Sequence, residues 1–244
     1  MSYQSICINQ EKLDFIHENY TEQIKALELF FKDAFPLMID RSVIKFGGGT
    51  ALSIYYFQHR LSFDIDLFLT DQQYLSYFSP KHWIEETNNF DGVHYIDTHN
   101  HVGVVSANNI KVDILVDSSS DSMLIDDSRT IFPFDIRIES IEDILAKKIV
   151  FRKKDNKARD IFDIAVAISK DDKIIESLLK NNRITQEDLQ ILLTALETIN
   201  IEKYNIAIEL VEPIDEYIIL AQKAPSFIVE HVKNRECNKL CVRT

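Results

Sequence analysis

The chain has 244 residues, 45% of them hydrophobic and 27% charged, with only five Gly and five Pro; this excludes disordered, collagenous or linker-rich architectures and predicts one large or two modest globular domains. Lys plus Arg number 27 against 39 Asp plus Glu, and the resulting charge of −12 repels nucleic acid and anionic lipid unless a local basic patch intervenes. Cys7, Cys237 and Cys241 show neither disulfide-framework nor zinc spacing. The opening MSYQSICINQEKLDF lacks a basic start followed by an apolar core, and no apolar run approaches the roughly 18 residues of a bilayer span. A cytoplasmic chain without membrane contact is expected.

Between Tyr20 and Phe35 the residues Ile24, Leu27, Phe30, Phe31, Ala34 and Phe35 recur at helical spacing, predicting an amphipathic helix ended by Pro36. The apolar stretch Val43 to Phe46 then runs into three glycines and a helix-like segment from Thr50 to His59, so strand, tight turn and helix follow directly. Phe63 to Leu69 alternates, with Ile65, Leu67 and Leu69 on one face and Asp64, Asp66 and Phe68 on the other, as in a half-buried strand. A helix is expected around Pro80 to Asn88, and strands near Val93 to Ile96, Val102 to Ser106 and Ile110 to Val116, the last two joined by a hairpin turn at Asn108-Asn109. Past about Phe134 no strand is evident and helical periods dominate, which puts a domain boundary near 135: residues 1–135 form the first domain and 136–244 a helical second one. Ser140 and Asp143 resemble a capping box before a helix from Ile141 to about Lys154. Further helices are predicted over Arg159 to Ser169, Ile174 to Lys180, Gln186 to Ile199, Ile206 to Leu210 and Ile214 to Lys223, with no internal repeat or low-complexity tract.

The chemistry concentrates in the first domain. Asp64 and Asp66 leave one strand face with Cα atoms about 7 Å apart. Carboxylates so placed can share divalent cations, and hard oxygen ligands suit Mg²⁺ or Mn²⁺. Asp113, in IKVDILVD, shares its face with Lys111 and Leu115 and offers a third carboxylate from a neighbouring strand. In KFGGGTALS the backbone N–H groups of Gly48, Gly49 and Thr50 can approach phosphate oxygens at a helix start, with hydroxyls from Thr50 and Ser53.

GGTALSIYYFQHRLSFDIDLF, from Gly48 to Phe68, resembles the signature of the nucleotidyltransferase AbiEii/AbiGii toxin family, within the DNA polymerase β-like nucleotidyltransferase superfamily. The three glycines here leave open whether Gly47–Gly48 or Gly48–Gly49 is the structural pair. IEDILAKKIVFRKKDNKARDIFDIAVAI, from Ile141 to Ile168, is similar to the family's later motifs, a helix lysine followed by an Arg-Asp-x-x-Asp helix. The resemblance implies an α+β fold: a polymerase-β-like nucleotidyltransferase mixed sheet with flanking helices, then a helical C-terminal domain. It implies that Lys148, or Lys147 if the register slips, contacts the nucleotide phosphates. Arg159, Asp160 and Asp163 match the second motif, and the two aspartates, three apart on one helix face, would orient Lys148 or Arg159. Ser62 is implied as a phosphate or metal-site donor, and Arg60 either shares that role or pins the loop through a salt bridge.

The resemblance further implies a metal-dependent enzyme in which Asp64, Asp66 and Asp113 bind two Mg²⁺ (or Mn²⁺) ions. An acceptor hydroxyl then attacks the α-phosphorus of an NTP and expels pyrophosphate. The implied setting is the toxin of a toxin–antitoxin or phage-defence pair, with a separately encoded antitoxin and tRNA as the first acceptor. Acceptors of the alternative readings are a small hydroxylated molecule such as an antibiotic, or a protein; a catalytically silent nucleotide-binding module is a further reading. Seven of the thirteen residues from Lys147 to Arg159 are basic, a patch suited to triphosphate or RNA. His94, His99 and His101 match no familiar zinc spacing and are expected at the surface, while Tyr55, Tyr56 and Phe57 are expected to pack.

Overall fold

The computed structural model describes residues 9–117, 123–152, 155 and 157–241, and divides the chain into two compact units. The first comprises residues 9–58 and 62–140; the second comprises His59–Leu61 and the chain from Ile141 onward. Cys7 and the basic residues Lys153 and Lys154 lie outside the described residues.

The first unit starts with two helices, α1 (Gln10–Asn19) and α2 (Thr21–Asp33). The apolar face of α2 buries Ile24, Leu27, Phe30 and Phe31, as its spacing predicts, and Phe30 stacks on Phe78 and meets Trp83 edge-on. Full burial of each such ring is worth about 1.5–3 kcal/mol. The shorter α1 is an element the sequence reading did not assign; its Asn9 cap accepts the N–H of Lys12, but Ile16 is its one buried side chain among the described residues, so periodicity marks it weakly.

The described residues form a seven-stranded mixed sheet in the order β3-β4-β5-β2-β1-β7-β6. The strands are β1 (Ile44–Gly47), β2 (Ile65–Leu69), β3 (Ile96–Asp97), β4 (His101–Val105), β5 (Lys111–Val116), β6 (Met123–Asp126) and β7 (Ile136–Glu139). β2 runs parallel to β5, and β1 parallel to β7; the remaining pairs are antiparallel. The β4–β5 hairpin turns at Asn109, whose φ of 61° is the left-handed conformation that Asn tolerates. β1 is buried at every position because it lies inside the sheet. From it the chain enters helix α3 (Gly48–Ala51), which continues as a π-helix over Leu52–Phe57 and stops at Gln58.

Three expectations for the first unit change. The segment expected to be a helix from Pro80 to Asn88 consists of successive 3₁₀ turns at Pro80–His82 and Ile84–Glu86, preceded by another at Gln72–Phe78. Leu75 and Phe78, like Pro80 and Trp83, are buried pairs three residues apart, and three residues per turn is the 3₁₀ period. The strand expected at Val93 starts only at Ile96, since the Asp91 carboxylate accepts the N–H groups of Val93 and His94 and holds them in a turn. A strand does follow Phe134: β7 carries Ile136 and Ile138 on one face, and its four residues are too few to stand out before a long helical run.

The second unit is helical: α4 (Ile141–Arg152), α5 (Ala158–Lys170), α6 (Ile174–Lys180), α7 (Gln186–Glu197), α8 (Ile201–Glu209) and α9 (Ile218–Cys241). α5 is buried continuously from Asp160 to Ile168, so it is the centre of this unit. α7 begins with a full capping box between Thr185 and Asp188. α9 runs well past the expected end at Lys223 and through Pro225. A proline there gives no N–H to the carbonyl of Ala221. The Tyr204 hydroxyl donates to that carbonyl at 2.7 Å instead, replacing the missing bond from a neighbouring helix.

Candidate functional site

Strand register gathers the first-domain candidates. Asp66 lies opposite Asp113 on β5 and opposite Gly47 on β1, while Asp113 lies opposite Gly103 on β4. The row across the sheet is therefore Gly103, Asp113, Asp66, Gly47, with neighbouring strands about 4.8 Å apart. Glycine on either side is a steric requirement. A Cβ on Gly103 would fall 2.8 Å from Asp113 Oδ1, and one on Gly47 would fall 2.2 Å from Oε2 of Glu139. Gly48, at φ +66°, approaches closest, since a Cβ there would sit 2.0 Å from Asp66 Oδ2. Of the two glycine pairings left open, both Gly47 and Gly48 are thus places where the backbone must come close to a carboxylate.

Asp64 immediately precedes β2, and its position is fixed through the main chain. Thr50 Oγ1 donates to the Asp64 carbonyl and also hydrogen-bonds Ser62 Oγ at 2.9 Å, while Gln23 Nε2 donates to the Ser62 carbonyl at 3.0 Å. Thr50 and Ser62, both buried, thus meet each other and tie the glycine turn to the segment leading into the aspartates. Ser53 is fully buried, and its hydroxyl has no hydrogen-bond partner among the described residues. Asp64 and Asp66 are half-buried, and Asp113 is 8% exposed.

Asp113 carries two contacts that sequence reasoning missed. His101 Nε2 lies 2.7 Å from Oδ1 and Lys111 Nζ 2.7 Å from Oδ2. His101 could have been found from the Asn108-Asn109 hairpin, whose register puts it on the face of Asp113, and Lys111 from the strand alternation that puts it two residues before Asp113 on that face. His94 is exposed and pairs with Asp91, and His99 is exposed. Glu139, completely buried beside Gly47, is a further acid on this row that reads in sequence as the polar position of a short strand. The tyrosines pack: Tyr55 donates to Asp126 Oδ2 at 2.8 Å and Tyr56 to the Glu139 carbonyl at 2.7 Å. Burial, then the nearby Asp126 carboxylate, push the Tyr55 hydroxyl well above its ordinary pKa.

The second unit gathers the later-motif residues. Lys148 Nζ lies 2.8 Å from both Asp160 Oδ1 and Asp163 Oδ2, so the aspartates three apart on α5 share one ammonium. Arg60 grips Asp163 with two bonds, Nε to Oδ1 at 2.7 Å and Nη2 to Oδ2 at 2.9 Å, and His59 Nε2 meets Oδ1 at 2.7 Å. Arg60 therefore pins its segment by a bidentate pair. Burial opposes the charge on Asp163, yet Arg60 and Lys148 outweigh it and hold the carboxyl well below the usual range. Burial likewise opposes the Lys148 charge, but Asp163 and Asp160 prevail and raise it. For His59 burial wins over the bond to Asp163 and lowers the imidazole. Arg159 is half-buried next to Asp160, and Lys147 half-buried next to Lys148.

Among the described residues no three His, Cys, Asp or Glu side chains converge as a ready metal cage. Mg²⁺ needs none, since it keeps several waters and binds through one or two carboxylates together with substrate phosphates. Asp66 and Asp113, at paired positions of β2 and β5, supply oxygen donors of that kind.

Residues 32–188 match the family described as nucleotidyl transferase AbiEii toxin, type IV toxin–antitoxin system. The chain belongs to this AbiEii family. Among solved structures, one from H. pylori, whose nucleotidyltransferase assignment is itself provisional, aligns with TM-score 0.50 at 16% identity over 96% of this chain and 99% of that one. JHP933 from Helicobacter pylori aligns with TM-score 0.46 at 16% identity, over 98% and 100% of the two chains. MenT4, a nucleotidyltransferase toxin of Mycobacterium tuberculosis, aligns with TM-score 0.41 at 12% identity, over 90% and 95%. No curated protein matches. The mixed sheet with flanking helices, followed by a helical region, is the nucleotidyltransferase fold of this AbiEii chain, and no helix among the described residues is long and apolar enough to cross a membrane.

Proposed function

We propose that this AbiEii-family chain transfers a nucleotide from an NTP to an acceptor hydroxyl, the 3′ end of tRNA, on the sheet face that carries Asp66 and Asp113. The observation that carries the reading is the register that sets these carboxylates side by side, with Gly47, Gly48 and Gly103 clearing the space against their neighbours. Asp64, Asp66 and Asp113 would hold Mg²⁺ or Mn²⁺, in a pair when NTP is bound; the ions supply charge neutralisation for the triphosphate and acidify the attacking hydroxyl. The backbone N–H groups of Gly48, Gly49 and Thr50, at the start of α3, would approach the triphosphate oxygens. Thr50 and Ser62 support them by fixing the turn through their mutual hydrogen bond. The acceptor oxygen forms a bond to the α-phosphorus, the bond to the β-phosphate oxygen breaks, pyrophosphate leaves, and Asp113 takes the hydroxyl proton. The rest is positioning and electrostatics. Membership of a type IV toxin–antitoxin family supports a separately encoded antitoxin as the biological partner.

The test is incubation of the protein with total RNA, Mg²⁺ and each α-labelled NTP in turn, beside Asp64→Ala/Asp66→Ala. Label on a tRNA-sized band with wild type, reduced at least about 10³-fold in the variant, is the expected result. Mg²⁺-dependent NTP binding with no labelled RNA overturns the tRNA acceptor and redirects the search to proteins, small hydroxylated molecules or a silent nucleotide-binding role.

A further inference from the structure

Asp66 and Asp113 occupy paired positions of the neighbouring strands β2 and β5, and carboxylates so placed repel unless a positive charge offsets them. Part of that charge is the ammonium of Lys111, 2.7 Å from Asp113 Oδ2. We propose that Lys111 is a resident counter-cation: it occupies Asp113 Oδ2 while no divalent ion is bound and gives up that oxygen when one arrives. The inference rests on the reading of Asp66 and Asp113 as cation ligands.

Three features make Lys111 suited to leave. First, its side chain is 41% exposed whereas the Asp113 side chain is 12% exposed, so the lysine is the more solvent-accessible of the two partners. Second, the two oxygens of Asp113 are divided: His101 Nε2 sits 2.7 Å from Oδ1 and fixes the carboxylate, so that competition falls on Oδ2 alone. Third, a lysine is a point charge on a flexible stem, held here by one contact, where an arginine fork would hold both oxygens. Lys148 shows the opposite construction in the same chain: it is 11% exposed and gripped by two carboxylates. A dication outcompetes a monocation at one oxygen because the attraction scales with charge.

The test uses the whole chain and Mn²⁺ alone, with free Mn²⁺ read by electron paramagnetic resonance. Lys111→Met and Lys111→Gln should bind Mn²⁺ tighter than wild type, by up to about fivefold, the range set by loss of one partly exposed ion pair. Lys111→Arg, which keeps the charge, should show no tightening. Equal or weaker binding by both uncharged variants overturns the proposal, as does tightening by Lys111→Arg to the same extent. Asp66→Asn separates the two layers. If it binds like wild type, the carboxylates are not the cation site. If it loses binding while Lys111→Met and Lys111→Gln do not gain, the cation site stands and the counter-cation alone fails.

Discussion

At Gly48 a single hydrogen atom is all the space allows. Its φ of +66° disfavours any side chain, and an added methyl would meet the Asp66 carboxylate. Gly48→Ala is therefore expected to cost about 1–3 kcal/mol in stability and to displace Asp66, abolishing transfer; thermal unfolding and the labelled-NTP assay read the two effects. His59 sets a pH response. Burial lowers its folded-state pKa below the ordinary imidazole value of about 6.5, so the unfolded chain binds a proton that the folded one refuses. Stability is accordingly full above about 6.5 and falls as pH drops from there towards the lower folded value. Asp163 adds a second loss of the same sign at more acid pH, because its carboxyl is also depressed. Thermal midpoints measured from about pH 8 down to about pH 4 should decline from the His59 window onward, and His59→Gln should flatten the upper part of that slope. An unchanged slope in the variant would assign the decline elsewhere.

The elements show which signals survive in a bare sequence. Asp64, Asp66 and the glycine turn are legible because strand alternation and a run of Gly are local patterns, and Asp113 is legible by the same alternation on β5. His101 and Glu139 are not, because each joins the row only through cross-strand register, and alternation puts Lys111 on the face of Asp113 without revealing that the two pair. The π-helix over Leu52–Phe57 was equally hidden: it is recorded in the bond from Gln58 N–H to the Ser53 carbonyl, and apolar residues fill it whatever its pitch. α9 gives the sharpest case. The predicted helix ends at Lys223, yet the helix continues through Pro225, with Tyr204, on α8, serving the carbonyl that proline leaves without a donor. Tyr204→Phe keeps the ring and removes that bond, so it should cost about 1–3 kcal/mol, the penalty of an unsatisfied buried carbonyl, measured by chemical denaturation. A neutral result would mean that α9 tolerates the proline unaided.

At the scale of the whole molecule, motif order was legible and long-range pairing was not. The sequence places Arg60 beside the Asp-x-Asp strand, yet its partner Asp163 lies 103 residues on. His59, Arg60 and Leu61 accordingly belong to the second unit, although the chain on either side of them belongs to the first. A fragment of residues 141–244 lacks this piece and leaves Asp163 without its bidentate partner. It should be less stable than the same helices in the full chain by about 3–5 kcal/mol, the usual penalty for breaking a buried ion pair, and thermal circular dichroism of fragment and full chain would show it. Matching unfolding midpoints would relegate the three-residue insertion to a bystander.

The same arrangement bears on synthesis. A ribosome adding about 5–20 residues per second needs on the order of 5–20 s to pass from Arg60 to Asp163. Throughout that interval the emerging chain holds the Asp-x-Asp strand and its glycine turn, but the arginine between them has no Asp163 to close upon. A toxin-family chain wired in this way completes the segment leading into its aspartates only after two thirds of its length has been made, so that translation order itself delays the finished site.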